Sequence, residues 1–321
     1  LLKSTLGARR QRGFSLPEVL IALSVITIVS FMVIGAVGPW LGLKQNIDND
    51  RRMQDIRQGL QAVYETRAYE AETLPAGQFF GLVTSTIDGA GNCNLQSSAF
   101  RQLNTLISDA GAQAAKDGYG NAWCVFVSGQ LQKPGDGTTL YYRNISIVSA
   151  GSDSLLAPGT RMAADGLMNY SGDDVGITVS GYDVQYPKLK ETLRRMSRVA
   201  TSYEAYFSMR FLSYADRDIT RDYFSQRYDA SSAVASTEGG WANADALLAN
   251  IGVSASDAFT AWERNNNIIV ANYDEQLGSQ RVRSPATTGT GILPYTAILA
   301  ARVPAPAGVD LYVTRVAVGN Y

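Results

Sequence analysis

Histidine is missing from the 321 residues, and cysteine occurs only at Cys93 and Cys124. Without histidine there is no Ser-His-Asp or Cys-His nucleophile and no His-ligated metal. Two cysteines so far apart exclude CxxC zinc and redox motifs. No G-x-x-x-x-G-K-[ST] loop occurs, and GAGNCN at 89–94 lacks the third glycine of a dinucleotide loop, so it reads as a turn. Neither sign of charge is in excess: 28 Lys and Arg stand against 29 Asp and Glu, a net charge of −1, which argues against a nucleic-acid partner. Asp216, Asp218, Asp222 and Glu263 could in principle serve a histidine-free hydrolase. Their spacing singles out no site, and the chain is expected not to be an enzyme.

Charge is scarcest of all near the N-terminus. Between Phe14 and Leu43 the one charged residue is Glu18. As a helix this run reaches about 45 Å, more than the roughly 30 Å apolar core of a bilayer. Lys3, Arg9, Arg10 and Arg12 precede it, so the positive-inside rule puts that flank in the cytoplasm and the rest outside. An uncleaved signal anchor or a long secretory signal peptide would account for the apolar run. Neither accounts for the acid, since a carboxylate in mid-membrane costs about 2.5–3.5 kcal/mol on insertion scales. Because the chain starts with Leu, its natural start is expected upstream or at another codon. Gly35, Gly38 and Pro39 predict a kink or melted turn once the helix leaves the membrane, whereas Pro17 falls in the first turn, where its missing N–H matters little.

The segment RGFSLPEVLIAL at 12–23 resembles the class III signal of type IV pilins and type II secretion pseudopilins. In that family a basic leader ends in glycine, a membrane prepilin peptidase cuts after it and methylates the new amine, and a glutamate stands fifth in the mature chain. The resemblance implies cleavage between Gly13 and Phe14 and an assembly role for Phe14 and Glu18. In a filament of packed helices Glu18 would lie close to a cationic N-terminal amine, its own or a neighbour's. Such a pairing makes a desolvated carboxylate tolerable and selects the axial register. The partners implied are other pilins or pseudopilins, the prepilin peptidase, the inner-membrane assembly platform and the membrane itself. The location implied is the bacterial inner membrane, single-pass with a cytoplasmic N-terminus, and later a surface pilus or periplasmic pseudopilus.

Beyond Leu43, Met53, Ile56, Leu60, Val63, Tyr64 and Ala68 recur at helical spacing, which predicts a spine helix to about Glu72, stopping before Pro75. Stretches 117–129, 140–156 and 172–183 read as a turn followed by β-strands. They resemble the C-terminal half of major pseudopilins and many pilins at Asp117, Tyr119, Gly120, Trp123, Ser149, Gly151 and Asp153. In that family a nearby loop holds calcium, and Asp153, Asp173 and Asp174 are the carboxylates available here for such an ion. Cys93 and Cys124 lie beyond the membrane, in an oxidising compartment, and are expected to form a structural disulfide worth about 3–4 kcal/mol.

Residues 186–215 form a second helical pattern. A shift of 143 superimposes Met53, Ile56, Leu60, Val63, Tyr64 and Arg67 on Met196, Val199, Tyr203, Tyr206, Phe207 and Arg210. DAFTAW at 257–262 echoes DGYGNAW at 117–123, and strands are expected to close the chain. The organisation expected is a leader at 1–13, a transmembrane and assembly helix at 14–43, a pilin-like head at 44–184 and a second domain at 185–321. That domain is either a pilin-like repeat or an unrelated α+β module, with the boundary near Tyr182–Pro187. The fold class is α+β. The loop at 284–294 and the stretch around Trp241 and Trp262 are candidate partner contacts, although such tryptophans belong more often to the core. The function expected is a minor, tip-associated filament subunit; a filament-borne adhesin is the alternative, and an anchored exported enzyme the remote one.

Overall fold

A computed structural model describes residues 15–74, 79–82, 84–87, 91–93, 98–109, 116–219, 223–224, 241–262, 265–271, 276–277, 280–281, 295–319 and 321. Helix α1 spans Leu16–Thr66. Arg67 ends it in a non-helical conformation, and α2 (Ala68–Thr73) follows at once, so the spine stops within a residue of the expected Glu72. The helix runs unbroken through Gly35, Gly38 and Pro39, so the interruption expected there is not found in the chain as it stands. A proline forfeits its own N–H bond, and surrounding turns commonly hold an apolar spanning helix together across it.

Helix α3 (Ser98–Asp109) packs on α1 and on the first strand. It went unpredicted, although Ala99, Leu103, Leu106 and Ile107 sit at helical spacing and are all buried. Strands β1 (Cys124–Val127), β4 (Asn144–Ser149) and β7 (Val175–Ser180) form an antiparallel sheet in the order β1-β4-β7. Two hairpins are inserted between them: β2 (Leu131–Gly135) with β3 (Thr138–Tyr142), and β5 (Arg161–Met162) with β6 (Met168–Asn169). Side chains alternate across a strand with period two. Trp123, Val125, Ile145, Ile147 and Val179 accordingly join the α1 stripe in the main core. Cys124, Phe126 and Val148 face the other way, onto Leu156 and Cys93.

Helix α4 (Gly181–Ser213) begins directly after β7 and contains Pro187. Four strands follow in a second antiparallel sheet ordered β13-β12-β9-β8: β8 (Ala242–Asn243), β9 (Ile269–Ala271), β12 (Thr296–Arg302) and β13 (Tyr312–Val318). The short helix α5 (Leu248–Ile251) packs on α4, and β10 (Gln276–Leu277) pairs with β11 (Gln280–Arg281). Both sheets are therefore meanders that rest on a long helix. Their apolar faces merge into one buried cluster running from Met53 to Ala317.

The boundary expected near Tyr182–Pro187 falls in the first turns of α4, where the chain is in contact on both sides. A Cβ on Gly181 would sit 2.2 Å from the Tyr64 hydroxyl and 2.4 Å from the Arg143 carbonyl, so only glycine fits. Buried Gln185 donates to the Ala68 carbonyl at 2.7 Å and accepts from Trp262 Nε1 at 2.6 Å. Trp262 is thus a core residue. The loop at 284–294, Asp222 and Glu263 lie outside the described residues.

Candidate assembly and processing site

Gly13 and Phe14 lie outside the described residues, and Glu18 lies within them. Ser15 is the N-cap of α1, and Glu18 stands at its third helical position. The carboxylate Oε2 accepts from the Ser15 amide at 2.8 Å and from the Ser15 hydroxyl at 2.9 Å. The amide contact is the glutamate half of a capping box, and the positive end of the helix dipole adds to it. The acid whose position seemed anomalous in an apolar run is therefore held at the mouth of its own helix. In the sequence it stands four residues after Phe14, the residue expected to carry the new amino terminus.

From Leu16 to Val33 every side chain is exposed, apolar ones included: Leu16 is 79% exposed and Phe31 74%. Among the described residues this is the one helix long and apolar enough to cross a membrane. Ser24 and Thr27 return their hydroxyls to the carbonyls of Leu20 and Leu23, so they add little exposed polarity. A helix apolar all round needs an apolar surrounding.

The outer half of α1 carries the head. Asn49, buried to 1% exposure, accepts from the Gly118 amide at 3.1 Å, and Asn46 accepts from the Tyr119 hydroxyl. Arg52 donates at 2.8 Å to the carbonyls of Lys116 and Asp117. Asp117 folds the turn from inside, accepting from the Tyr119 and Asn121 amides and the Ser149 hydroxyl. The Asp-Gly-Tyr-Gly turn is thus a clamp on the spine. Gly118 passes so close that a Cβ would meet the Gln45 carbonyl at 2.2 Å. The three helix residues of this clamp were not expected. Their signal was Asn49, a polar residue one turn before Met53 on the buried stripe.

A second polar group lies where α2, the β2–β3 hairpin and α4 meet. Glu72 is fully buried, accepts from the Tyr64 hydroxyl and takes a 2.6 Å bond from Gln130 Nε2. Arg143 donates to the Ala71 carbonyl at 3.0 Å. Burial pushes the Glu72 carboxyl above the usual carboxylate range and, together with the Glu72 charge, lifts the Tyr64 phenol well above its ordinary value.

Cys93 and Cys124 are joined in a disulfide with their Cα atoms 5.5 Å apart. The three acids available for calcium accept hydrogen bonds from nearby loop donors. Asp153 caps the Leu155 amide, Asp173 accepts from the amide and hydroxyl of Ser152, and Asp174 accepts from the Ala157 amide and the Thr160 hydroxyl. Among the described residues no group of three or more acidic or cysteine side chains is arranged to hold a metal ion. Acids in Gly- and Ser-rich loops satisfy local backbone donors more readily than they converge.

The family model of the prokaryotic N-terminal methylation motif matches residues 8–34. The chain carries the class III prepilin signal of the type IV pilin and pseudopilin family, and its long N-terminal helix and antiparallel sheets fit an α+β pilin-like fold. No curated protein and no solved structure matches the chain. The motif implies association with other pilins and with a prepilin peptidase in general, and anchoring in the inner membrane before assembly fits the signal and its apolar helix. A pilin-type motif points to a structural subunit rather than an enzyme.

Proposed function

We propose that the chain is a minor, tip-associated subunit of a type IV pilus or a related secretion pseudopilus. It is cut between Gly13 and Phe14, methylated at Phe14 and assembled through residues 14–43 by the inner-membrane platform. The basic leader keeps the N-terminus cytoplasmic before assembly. The observation that carries this reading is the prepilin signal running without a break into a helix exposed and apolar on all sides, which then becomes the spine of a folded head. Such a helix is content in lipid and equally content among copies of itself.

The minor, terminal position is supported by the mass beyond the first sheet. Residues 44–184 are taken as the pilin-like head and 185–321 as a second unit, a helix followed by an antiparallel meander like the first. In a helical array every copy must repeat the same packing, and a second sheet on each would crowd it; at a tip nothing stacks above. Quantitative mass spectrometry of sheared filaments tests this. The chain should be present at far lower copy number than the principal subunit. Equal or greater abundance, or absence from filaments, contradicts it.

A further inference from the structure

The edge of a sheet is where a fold can accept another strand, and the two edges of the second sheet differ. At one edge β8 is two residues long, and at the other β13 runs for seven. The Val303 amide donates to the Leu311 carbonyl at 2.9 Å, and the Gly319 amide donates to the Tyr295 carbonyl at 2.8 Å. Both bonds share the register that sets Ala301 opposite Val313, Leu299 opposite Arg315 and Ala297 opposite Ala317. Hydrogen-bonded pairs alternate along an antiparallel ladder. Val313, Arg315 and Ala317 therefore bond inward to β12, while Tyr312, Thr314, Val316 and Val318 turn their N–H and C=O groups away from the sheet.

This outward row is closed at one end and open along the rest. Glu204 of α4 accepts from the Val318 amide at 2.9 Å. Among the described residues nothing meets the outward groups of Tyr312, Thr314 and Val316. Val316 is 48% exposed, and Arg315 is exposed beside it. Such a row selects an extended polypeptide, whose own N–H and C=O groups repeat about every 6.8 Å along one side. Side chains then choose among polypeptides. Arg302 is paired with Asp310 at 3.0 Å, whereas Arg315 has no acid beside it among the described residues. Pairing of β13 with a second copy about its midpoint would set Arg315 against Arg315, and like charges directly opposed destabilise a ladder.

We propose that the free edge of β13 takes an added strand from a different protein, an extended segment with an acid opposite Arg315 and β-branched residues along Thr314 and Val316. Backbone bonds to residues 312–316 hold the strand, and Arg315 sets the sign of charge it must carry. The edge needs neither leader cleavage nor a filament around it, so its failure and the failure of the subunit assignment are separate outcomes.

The test pans the full chain in lipid nanodiscs against phage-displayed random heptapeptides. The most enriched peptide is then synthesised with a fluorescein label and titrated by anisotropy. Enriched peptides should alternate β-branched residues with others, carry an acid and lack a central proline. Thr314→Pro removes one outward N–H and no bond to β12. It should leave the melting temperature unchanged and weaken binding by about tenfold or more, equivalent to about 1.4 kcal/mol or more. Arg315→Glu should lose the acidic peptide and enrich basic ones in its place. Damage to the fold cannot produce that reversal, so it decides alone if Thr314→Pro lowers the melting temperature. The proposal is overturned if no peptide is enriched, if a folded Thr314→Pro binds as well as the parent, or if Arg315→Glu keeps the preference for acids. It is overturned equally if the chain in detergent forms dimers that Thr314→Pro abolishes, since the edge would then serve a second copy.

Discussion

The two halves of α1 belong to one continuous helix and obey different solvents. From Leu16 to Val33 exposed apolar side chains point in every direction, and no part of the head covers them. From Asn49 to Tyr64 a single stripe of Asn49, Met53, Ile56, Leu60 and Tyr64 is buried, while Arg51, Arg57 and Glu65 face water. The inner half places its one acid at the helix mouth, where Ser15 answers it. The outer half places a fully buried acid just past its end, where Tyr64 and Gln130 answer it. Polar groups in both halves are tolerated because they are paired, and what differs is who supplies the apolar surroundings. The head supplies them to the outer stripe, and lipid or neighbouring subunits supply them to the inner cylinder.

Substitutions separate the halves. The largest effect on assembly is expected from Glu18→Ala, which should leave membrane insertion and leader cleavage intact while incorporation into filaments, followed by immunoblot of sheared fractions, falls by an order of magnitude or more. Normal incorporation would break the contrast. Replacing Cys93 and Cys124 by serine acts on the head alone. It should lower the head's unfolding free energy by about 3–4 kcal/mol in a denaturant titration and leave insertion unchanged. Gly118→Ala drives a methyl into the spine backbone and should cost the head about 1–3 kcal/mol in the same titration.

Glu72→Gln sharpens the comparison through pH. The folded carboxyl, facing Tyr64, Gln130 and Arg143, has its pKa raised above the unfolded value by burial. Its contribution to stability is therefore full below the ordinary carboxylate pKa and is lost as pH rises through the folded one. The glutamine variant should gain on the parent as pH increases across that window in thermal melts; a gain on acidification would reverse the assignment. The smallest effect is expected from Arg67→Ala at the break between α1 and α2. Its ion pair with Glu70 is exposed on both sides and should be worth less than about 1 kcal/mol in the same melts.

Periodicity made the helices legible. The stripe from Met53 to Tyr64 and the stripe from Leu189 to Phe207 are buried as their spacing demands. The core strands β1, β4 and β7 fall inside the three stretches expected to hold them. The β2–β3 hairpin was overlooked because Pro134 and Gly135 read as strand breakers, although the Asp136-Gly137 turn was visible. The shift of 143 that aligns the two helices holds at the buried positions and fails at its last pair. Arg67 is exposed beside Glu70, whereas Arg210 is fully buried against the Tyr206 ring and the Tyr223 carbonyl. The prepilin signal was legible because hydrocarbon penalises a lone acid so heavily that its position stands out. The clamp of Asn46, Asn49 and Arg52 on the 116–121 turn was not, because side chains more than sixty residues apart in sequence meet there only after folding.

In the proposed function the apolar helix begins where a leader is removed. Mass spectrometry of the N-terminal peptide from assembled filaments tests it most directly. The peptide should begin at Phe14 and carry one added methyl group. A peptide that retains Arg12-Gly13, or begins elsewhere in the apolar run, would contradict it.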